Sequence, residues 1–348
     1  MPKKINIKHE TLIIVLNKMF GKKIISADWQ IKKLHGGTVG EVCLVTGTAE
    51  TFDGEKLPYK VVLKIQEKWF REPNDEHSWR REYDLYTSDL DSVFCDSDMF
   101  RWAKCYHAEM NDAVDETQLW IEYIDGISGN DLTTEMRESA SREIGRFQGR
   151  LYKQHMPLLK NITCFAGLEY SKDYFTTFRR ETKEYRYIRS KDCEIPEHLR
   201  QMIVDNDNET DTIFEALNKL PILCHRDFWF ENIFYSDGNI TALDWDCAGW
   251  GYIFADVFQL MIDEADGAYL EEYYRKFIPA YLEGISEYID ISQIINIDDD
   301  FISKLLIMHV GYNFVDDYMS AESPDEKNEH LEMFQNLYEM RNIKFCRA

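Results

Sequence analysis

The residues best placed to do chemistry stand in one run, Cys224-His225-Arg226-Asp227-Phe228-Trp229-Phe230-Glu231-Asn232-Ile233, followed shortly by Leu243-Asp244-Trp245-Asp246. A His-x-Asp turn holds a carboxylate rigidly, with the His side chain bracing the loop. Asn232 supplies a neutral oxygen and Asp244 an anionic one. Hard oxygen ligands of this kind, completed by phosphate oxygens, are how Mg²⁺ is held in nucleotide sites. That leaves Asp227 to accept the proton of an attacking hydroxyl. Taken one at a time, these residues read better as a polar turn between buried strands. At this spacing, the set argues for phosphate chemistry.

Two weaker signals lie upstream. Leu34-His35-Gly36-Gly37-Thr38-Val39-Gly40-Glu41-Val42 separates two strand-like runs. Glycines there let a backbone approach phosphates, and the Thr38 hydroxyl can donate a hydrogen bond. It is not a Walker A loop, since no Gly-Lys-Ser/Thr follows and a strand rather than a helix does. Lys64, in Val61-Val62-Leu63-Lys64-Ile65, either faces solvent or aims into a cleft. Glu82 follows on a predicted helix and could hold the Lys64 ammonium against nucleotide phosphates, with Glu67 and Glu76 as competitors for that role.

The elements that must position these residues follow from pattern. Apolar side chains cluster at helical spacing over 9–20 (Leu12, Ile13, Val15, Leu16, Met19, Phe20). Segments 27–35, 40–48 and 57–66 are rich in Val, Ile, Leu and Tyr, and Gly36-Gly37 and Asp53-Gly54 separate them, as antiparallel hairpins require. A helix is predicted over 76–89, and strands near 101–109 and 117–124. From about 131 to 219 the pattern is helical, including an amphipathic stretch over 135–153. Short strands are predicted at 221–225, 232–236 and 239–245, and helices from there to the end. A β-rich third feeding a helical remainder is α+β in two lobes. The division expected is 1–121, a joint at 122–126, and 127–348.

The chain has 348 residues, 44% hydrophobic and 14% aromatic, enough for substantial cores. Its formal net charge of −23 repels phosphate backbones and anionic lipid, which argues against nucleic-acid and membrane partners. The same field attracts a polycationic small molecule. Eight cysteines are scattered without Cys-x-x-Cys, as expected of reduced thiols. The N-terminal apolar run, Leu12 to Leu16, is too short for a signal peptide, and no run approaches a membrane span. A cytoplasmic enzyme is the expectation.

Taken in order, the Gly-rich loop, strand Lys, helix Glu and His-Arg-Asp…Asn…Asp resemble the protein-kinase-like superfamily. The chain is most similar to its small-molecule branch, the aminoglycoside phosphotransferase and choline kinase family. The path from Glu122 to Asp227 is long and mainly helical, as in that branch. Beyond Asp244 there is no Asp-Phe-Gly or Ala-Pro-Glu, and Leu243-Asp244-Trp245 runs on to Asp256 instead. The resemblance spans about residues 27–262. It implies a bilobal kinase-like fold with an antiparallel N-lobe sheet and a helical C-lobe. It also implies ATP, or another nucleoside triphosphate, and Mg²⁺ as cofactors.

The same resemblance assigns roles. Asp227 would be the base, and Asn232 and Asp244 the Mg²⁺ ligands. Lys64 with Glu82 would orient the phosphates beneath Gly36, Gly37, Thr38 and Gly40. The backbone at Glu122 and Ile124 would pair with adenine, and Asp256 would brace the catalytic loop. Departures are Arg226 where the family has Gly or Asn, Trp229 where Ser/Thr kinases have Lys, and Gly251-Tyr252-Ile253 in place of Gly-Asp-Pro.

The expected acceptor is a hydroxyl of a small polar, cationic molecule. An aminoglycoside-like antibiotic comes first, with choline, an amino alcohol or a sugar open. Asp263 and Glu264 are the residues expected to bind its ammonium groups, with Glu271 and Glu272 as further candidates. Trp229, Trp250, Tyr269, Tyr312 and Tyr318 are either an aromatic floor or core, and His309 reads as core. Two alternatives stay open, a nucleotide-binding module without catalysis and a protein kinase.

Overall fold

The computed structural model describes residues 5, 7–34, 40–69, 75, 77–97, 99–167, 171–262 and 267–345, the side chains at 267 and 268 excepted. The chain forms two compact units. One is Met1–Gly126 with Thr241–Asp246, and the other is Ile127–Ile240 with Cys247–Ala348.

The first unit opens with helix α1 (His9–Phe20), which places Leu12, Val15 and Leu16 on one buried face and ends at Gly21, in the left-handed region at φ 61°. Strands β1 (Ile24–Ala27), β2 (Gln30–Lys33), β3 (Glu41–Thr51) and β4 (Lys56–Glu67) follow. Short helices α2 (Arg81–Tyr86) and α3 (Asp91–Phe94) then precede β5 (Phe100–Trp102), β6 (Cys105–Asn111) and β7 (Glu116–Glu122). The main sheet runs β1-β3-β4-β7-β6, with β2 also on β3, and its pairings are antiparallel. Alternation along β4 sends Val61 and Leu63 into a core with Leu12, Val15, Leu16, Val45 and Trp120. Each such side chain contributes about 1.5–3 kcal/mol when fully buried. Period two therefore turns Val62, Lys64 and Gln66 to the other face.

Pattern and structure differ at two places here. The helix predicted over 76–89 is only α2, flanked by turns, because Gln66 Nε2 donates to the carbonyl of Trp79 (2.5 Å) and holds that stretch against β4. Strand β1, absent from the pattern reading, pairs with β3. Its short run carries too little alternation to announce itself.

The second unit contains α4 (Thr134–Arg150), which runs into a π-helical turn at Leu151–His155, then α5 (Met156–Leu159), α6 (Lys183–Ile188), α7 (Glu197–Asn208) and α8 (Thr210–Leu217). Strand β8 (Ile222–Cys224) pairs antiparallel with β11 (Gly249–Gly251), and after β9 (Ile233–Ser236) the Asp237-Gly238 turn leads into β10 (Asn239–Ala242), whose last two residues are counted with the first unit. Helices α9 (Ala255–Ile262), α10 (Gly267–Ser286), α11 (Asp299–Ser320) and α12 (Pro324–Met340) complete it. Helices α4 and α10 approach so closely that a Cβ on Gly284 would stand 2.0 Å from the Arg142 carbonyl, and one on Gly145 would stand 2.4 Å from that of Tyr281. Among the described residues no helix is long and apolar enough to cross a membrane, and the seven described cysteines are free thiols.

Candidate active site

In the first unit, Lys64 lies between two carboxylates. Its Nζ is 2.5 Å from Glu82 Oε2 and 2.5 Å from Asp244 Oδ1. The Lys64 side chain is 11% exposed and that of Glu82 only 2%, whereas Asp244 is 34% exposed. Burial works to lower the Lys64 pKa, but Asp244, then Glu82 and Asp246, hold the ammonium well above its ordinary value. Burial pushes the Glu82 carboxyl up to about 7, against the pull of the Lys64 ammonium and with the help of Asp244.

Local structure explains the convergence. Lys64 stands opposite Val42 on β3 and Leu119 on β7, in the middle of the sheet. Arg81 of α2 donates to the Asp246 carbonyl (2.7 Å) and pairs with Asp75. Trp245 anchors the 241–246 segment, with its ring on Phe94 (5.0 Å) and Trp102 (6.3 Å) and its Nε1 donating to Ala242 O (3.0 Å). Between these anchors Asp244 takes φ 61°, a conformation unfavourable for a residue with a Cβ. Glu67 ends β4 exposed and, three positions from Lys64, alternates to the strand's other face, and Glu76 lies outside the described residues.

Gly40 closes the glycine-rich segment at φ 108°, where a Cβ would be 2.4 Å from Ile65 O, so only glycine fits. Gly36, Gly37 and Thr38 lie outside the described residues. The Glu122 side chain is gripped by Arg101 (2.6 and 3.1 Å), and its backbone N–H donates to Lys104 O (2.8 Å). The Glu122 N–H is thus already committed within the protein. Ile124 follows β7, half-buried.

The second unit builds the loop around Asp227. Its carboxylate is held from both sides, Oδ1 accepting from Trp229 Nε1 (2.5 Å) and Oδ2 from Asn232 Nδ2 (2.9 Å). Asn232 Nδ2 also donates to the Asp227 carbonyl (2.9 Å), which leaves Asn232 Oδ1 as that amide's acceptor atom.

Beneath the loop, buried Asp256 accepts from the backbone N–H of His225 (3.0 Å) and Arg226 (2.8 Å) and from Gln148 Nε2 (2.7 Å). Burial pushes its carboxyl up to about 6 while those N–H groups pull the other way. Gln259 Oε1 takes the Phe228 N–H (3.0 Å), and Tyr281 donates to Gln148 Oε1 (2.7 Å). Arg226 sits at φ 67°, a turn that these contacts over-determine.

Also in this unit is a cavity of about 410 Å³, with Trp229, Tyr174, Tyr312, Arg179, Glu184 and Asp317 in its wall. Of the five proposed floor aromatics, Trp229 and Tyr312 share it. Trp250 packs edge-on against Phe165 (6.1 Å), Tyr269 stacks on Tyr273 (6.0 Å) and Tyr318 is buried. Asp263 and Glu264 lie outside the described residues. Glu271 and Glu272 pair along their own helix with Arg275 and Lys276, each at 2.7 Å. His309 is core, its Nδ1 2.7 Å from the Tyr252 hydroxyl.

Sequence reading missed the Trp229–Asp227 contact, the two bracing glutamines and the acids of the cavity wall. Gln259 had a legible signal, since it stands one helical turn after Asp256.

No curated protein sequence matches the chain. Solved structures do resemble it in fold. They include the GDP and kanamycin complex of APH(2")-IIia (TM-score 0.57, 13% identity, 96% of this chain and 99% of that one). Another is a choline kinase from Cryptosporidium parvum Iowa II (0.53, 15%, 95% and 95%), and a third is the amicoumacin kinase hAmiN with AMP-PNP, Ca²⁺ and Ami (0.52, 16%, 89% and 88%). They share the protein-kinase-like α+β fold expected from the sequence. The profile of APH, the Phosphotransferase enzyme family, matches residues 103–288, more than half of the chain and inclusive of the Asp227 loop. The chain therefore belongs to the phosphotransferase enzyme family and is a small-molecule kinase.

Proposed function

We propose that the chain transfers the γ-phosphoryl group of ATP to a hydroxyl of a small cationic molecule, with Mg²⁺. The observation that carries this reading is the Asp227 carboxylate, half-buried and held by a donor on each oxygen in a loop that Asp256 braces from below. A carboxylate fixed in this way can take the proton of the acceptor hydroxyl. The hydroxyl oxygen forms the new bond to phosphorus, the bond from phosphorus to the β,γ-bridging oxygen breaks, and ADP leaves with that electron pair. Lys64, steadied by Glu82, offers its ammonium to the α- and β-phosphates. Gly36, Gly37, Thr38 and Gly40 would lie over the phosphates, and Glu122 and Ile124 would meet the base. The joint at 122–126 is assigned on the same footing.

Asp244 and Asn232 suit a hard cation, because each presents an oxygen: a partly exposed carboxylate, and an amide carbonyl whose nitrogen is committed to Asp227. When bound, Mg²⁺ would offset charge on the phosphates.

An amine-bearing acceptor is supported by the net charge of −23 and by the aromatic and acidic wall of the cavity. Kanamycin and choline, the molecules named with two of the similar structures, both carry cationic nitrogen, as ammonium groups in one and a quaternary ammonium in the other. The aminoglycoside reading would make the chain a determinant of antibiotic resistance, with amino alcohols and sugars as the other acceptors. Asp263 and Glu264 stay in the proposal as contacts for its ammonium groups.

The test is coupled ADP release from Mg-ATP over a panel of aminoglycosides, amino alcohols, sugars and nucleosides. Acceleration by one class supports the reading and names the acceptor. No acceleration by any of them, with Mg-ATP still raising Tm, would favour a binding module without catalysis. Asp227→Ala should cut turnover by on the order of a thousandfold with ATP affinity mostly kept. Near-normal turnover would remove Asp227 from the mechanism.

A further inference from the structure

Trp229 has two environments. Its Nε1 donates to Asp227 Oδ1 (2.5 Å), and its ring forms part of the wall of the 410 Å³ cavity. Asp227 is thus joined to that cavity by one rigid side chain. On the other side of the carboxylate, Asn232 occupies Oδ2. Trp229 precedes a 3₁₀ turn at Phe230–Asn232, in extended backbone at φ −84°, ψ 155°, and the Asn232 N–H returns to the Trp229 carbonyl (3.0 Å). The tryptophan and the asparagine that grip the base are therefore parts of one closed turn.

The rest of the cavity wall has a definite chemistry. Arg179 is buried, with Nη1 donating to Met308 O (2.7 Å) and its guanidinium against the rings of Phe175 (4.2 Å) and Tyr312 (4.8 Å). Its charge is spent on the protein's own carbonyl and π faces. The wall acids are Glu184, Asp316 and Asp317. Lys183, 2.7 Å from Asp316 and 3.6 Å from Glu184, offsets part of their charge. Aromatic faces beside a surplus of carboxylates suit a cation with an apolar body.

We infer that Trp229 is a positioning residue for Asp227 and also the wall against which an amine-bearing acceptor packs, so that one side chain both orients the base and lines the acceptor's cavity. This rests on the reading of Asp227 as the base. The indole N–H takes one carboxylate oxygen and fixes the torsion of the carboxylate. The ring then sets how far the acceptor hydroxyl stands from that carboxylate. The residue that Ser/Thr protein kinases give to a lysine is here a neutral donor with a flat face, which leaves the cationic role to the acceptor itself.

The test uses the full chain labelled with ¹⁵N-tryptophan, which has eight indole signals to resolve. Trp229→Phe identifies the Trp229 signal by its loss. Asp227→Asn should move that signal upfield, because the N–H then faces an uncharged acceptor, and leave the other indoles in place. An unmoved signal would overturn the contact. Kanamycin and choline, as a polyamine probe and a quaternary-amine probe, should shift the same signal in wild type, for at least one of the two. Glu184→Gln should weaken that binding at least fivefold. A signal indifferent to both probes at millimolar concentration overturns the cavity assignment.

Steady-state turnover of Mg-ATP with water as acceptor separates positioning from packing. Trp229→Phe should lower kcat about tenfold with KM for ATP within twofold, and Trp229→His, which keeps a ring N–H, should recover most of it. A wild-type kcat in Trp229→Phe overturns positioning. A wild-type kcat in Asp227→Asn, with the indole shift present, instead sinks the reading of Asp227 as base and leaves the contact standing.

Discussion

Lys64 shows what a single side chain is asked to do. Buried at 11% exposure between Glu82 and Asp244, its ammonium offsets the Glu82 carboxylate, which burial would otherwise penalise, and pairs with the partly exposed Asp244. Lys64→Met should lower turnover by at least a hundredfold under the proposed mechanism. It should also make stability fall as pH rises from 6 to 8. The sign follows from Glu82, whose carboxyl burial already pushes up to about 7. Without the ammonium, the fold favours its protonated form still more, and that stability is lost as pH climbs through the folded-state value. Thermal melts of the variant at pH 6, 7 and 8 check this, and a flat profile would show that Glu82 is not an uncompensated charge there.

At the scale of elements, the packing of α4 on α10 sets how well the Asp227 loop is braced. Gln148 of α4 and Tyr281 of α10 complete the chain of hydrogen bonds to Asp256 on α9. Glycines at 145, 149 and 284 allow the close approach of those helices. Gly284→Ala drives a methyl to 2.0 Å from the Arg142 carbonyl, so the helices must part. The expected loss is about 1–3 kcal/mol of stability, the usual cost of overpacking. Urea unfolding measures it, and an unchanged midpoint would mean that the pair yields freely. Because Gln148 and Tyr281 sit on the same faces, turnover should fall as well.

At the scale of the whole molecule, acid stability has an identifiable contributor in the second unit. Burial, aided by the Arg179 charge, pushes the His309 imidazole down to about 3, and burial holds the Tyr252 phenol protonated. The bond between them, at 2.7 Å, is therefore one between a neutral phenol and a neutral imidazole. Below the ordinary histidine value near 6.5, the unfolded chain binds a proton that the folded chain refuses. Stability is complete above that value and declines as pH falls, by about 2 kcal/mol at pH 5 from this group. His309→Gln, which keeps an acceptor for Tyr252 without a titrating ring, should flatten the slope of unfolding free energy between pH 6.5 and 5. An identical slope would assign the acid sensitivity elsewhere.

Much of this was legible in the chain itself, where a local rule sufficed. Helix α1 followed from apolar spacing, β4 from its alternation, and the hairpin at Asp237-Gly238 from turn chemistry. The run from Cys224 to Asn232 marked the loop because it sets a carboxylate and an amide oxygen a few residues apart in a His-x-Asp turn. The rest depended on contacts that no local pattern encodes. Period two puts Lys64 on one face of β4, but only the packing of α2 and of the 241–246 segment decides which carboxylates meet it. An acidic chain offers many carboxylates, and their sequence positions do not rank them by distance. Likewise, Trp229 reads as core or floor until the turn at Phe230–Asn232 closes and brings its N–H to Asp227. Sequence by itself determined the elements and the type of chemistry, because periodicity and residue type act over a few neighbours. Tertiary structure alone decided the partners, because a hydrogen bond or ion pair depends on distance in space, which chain separation does not set.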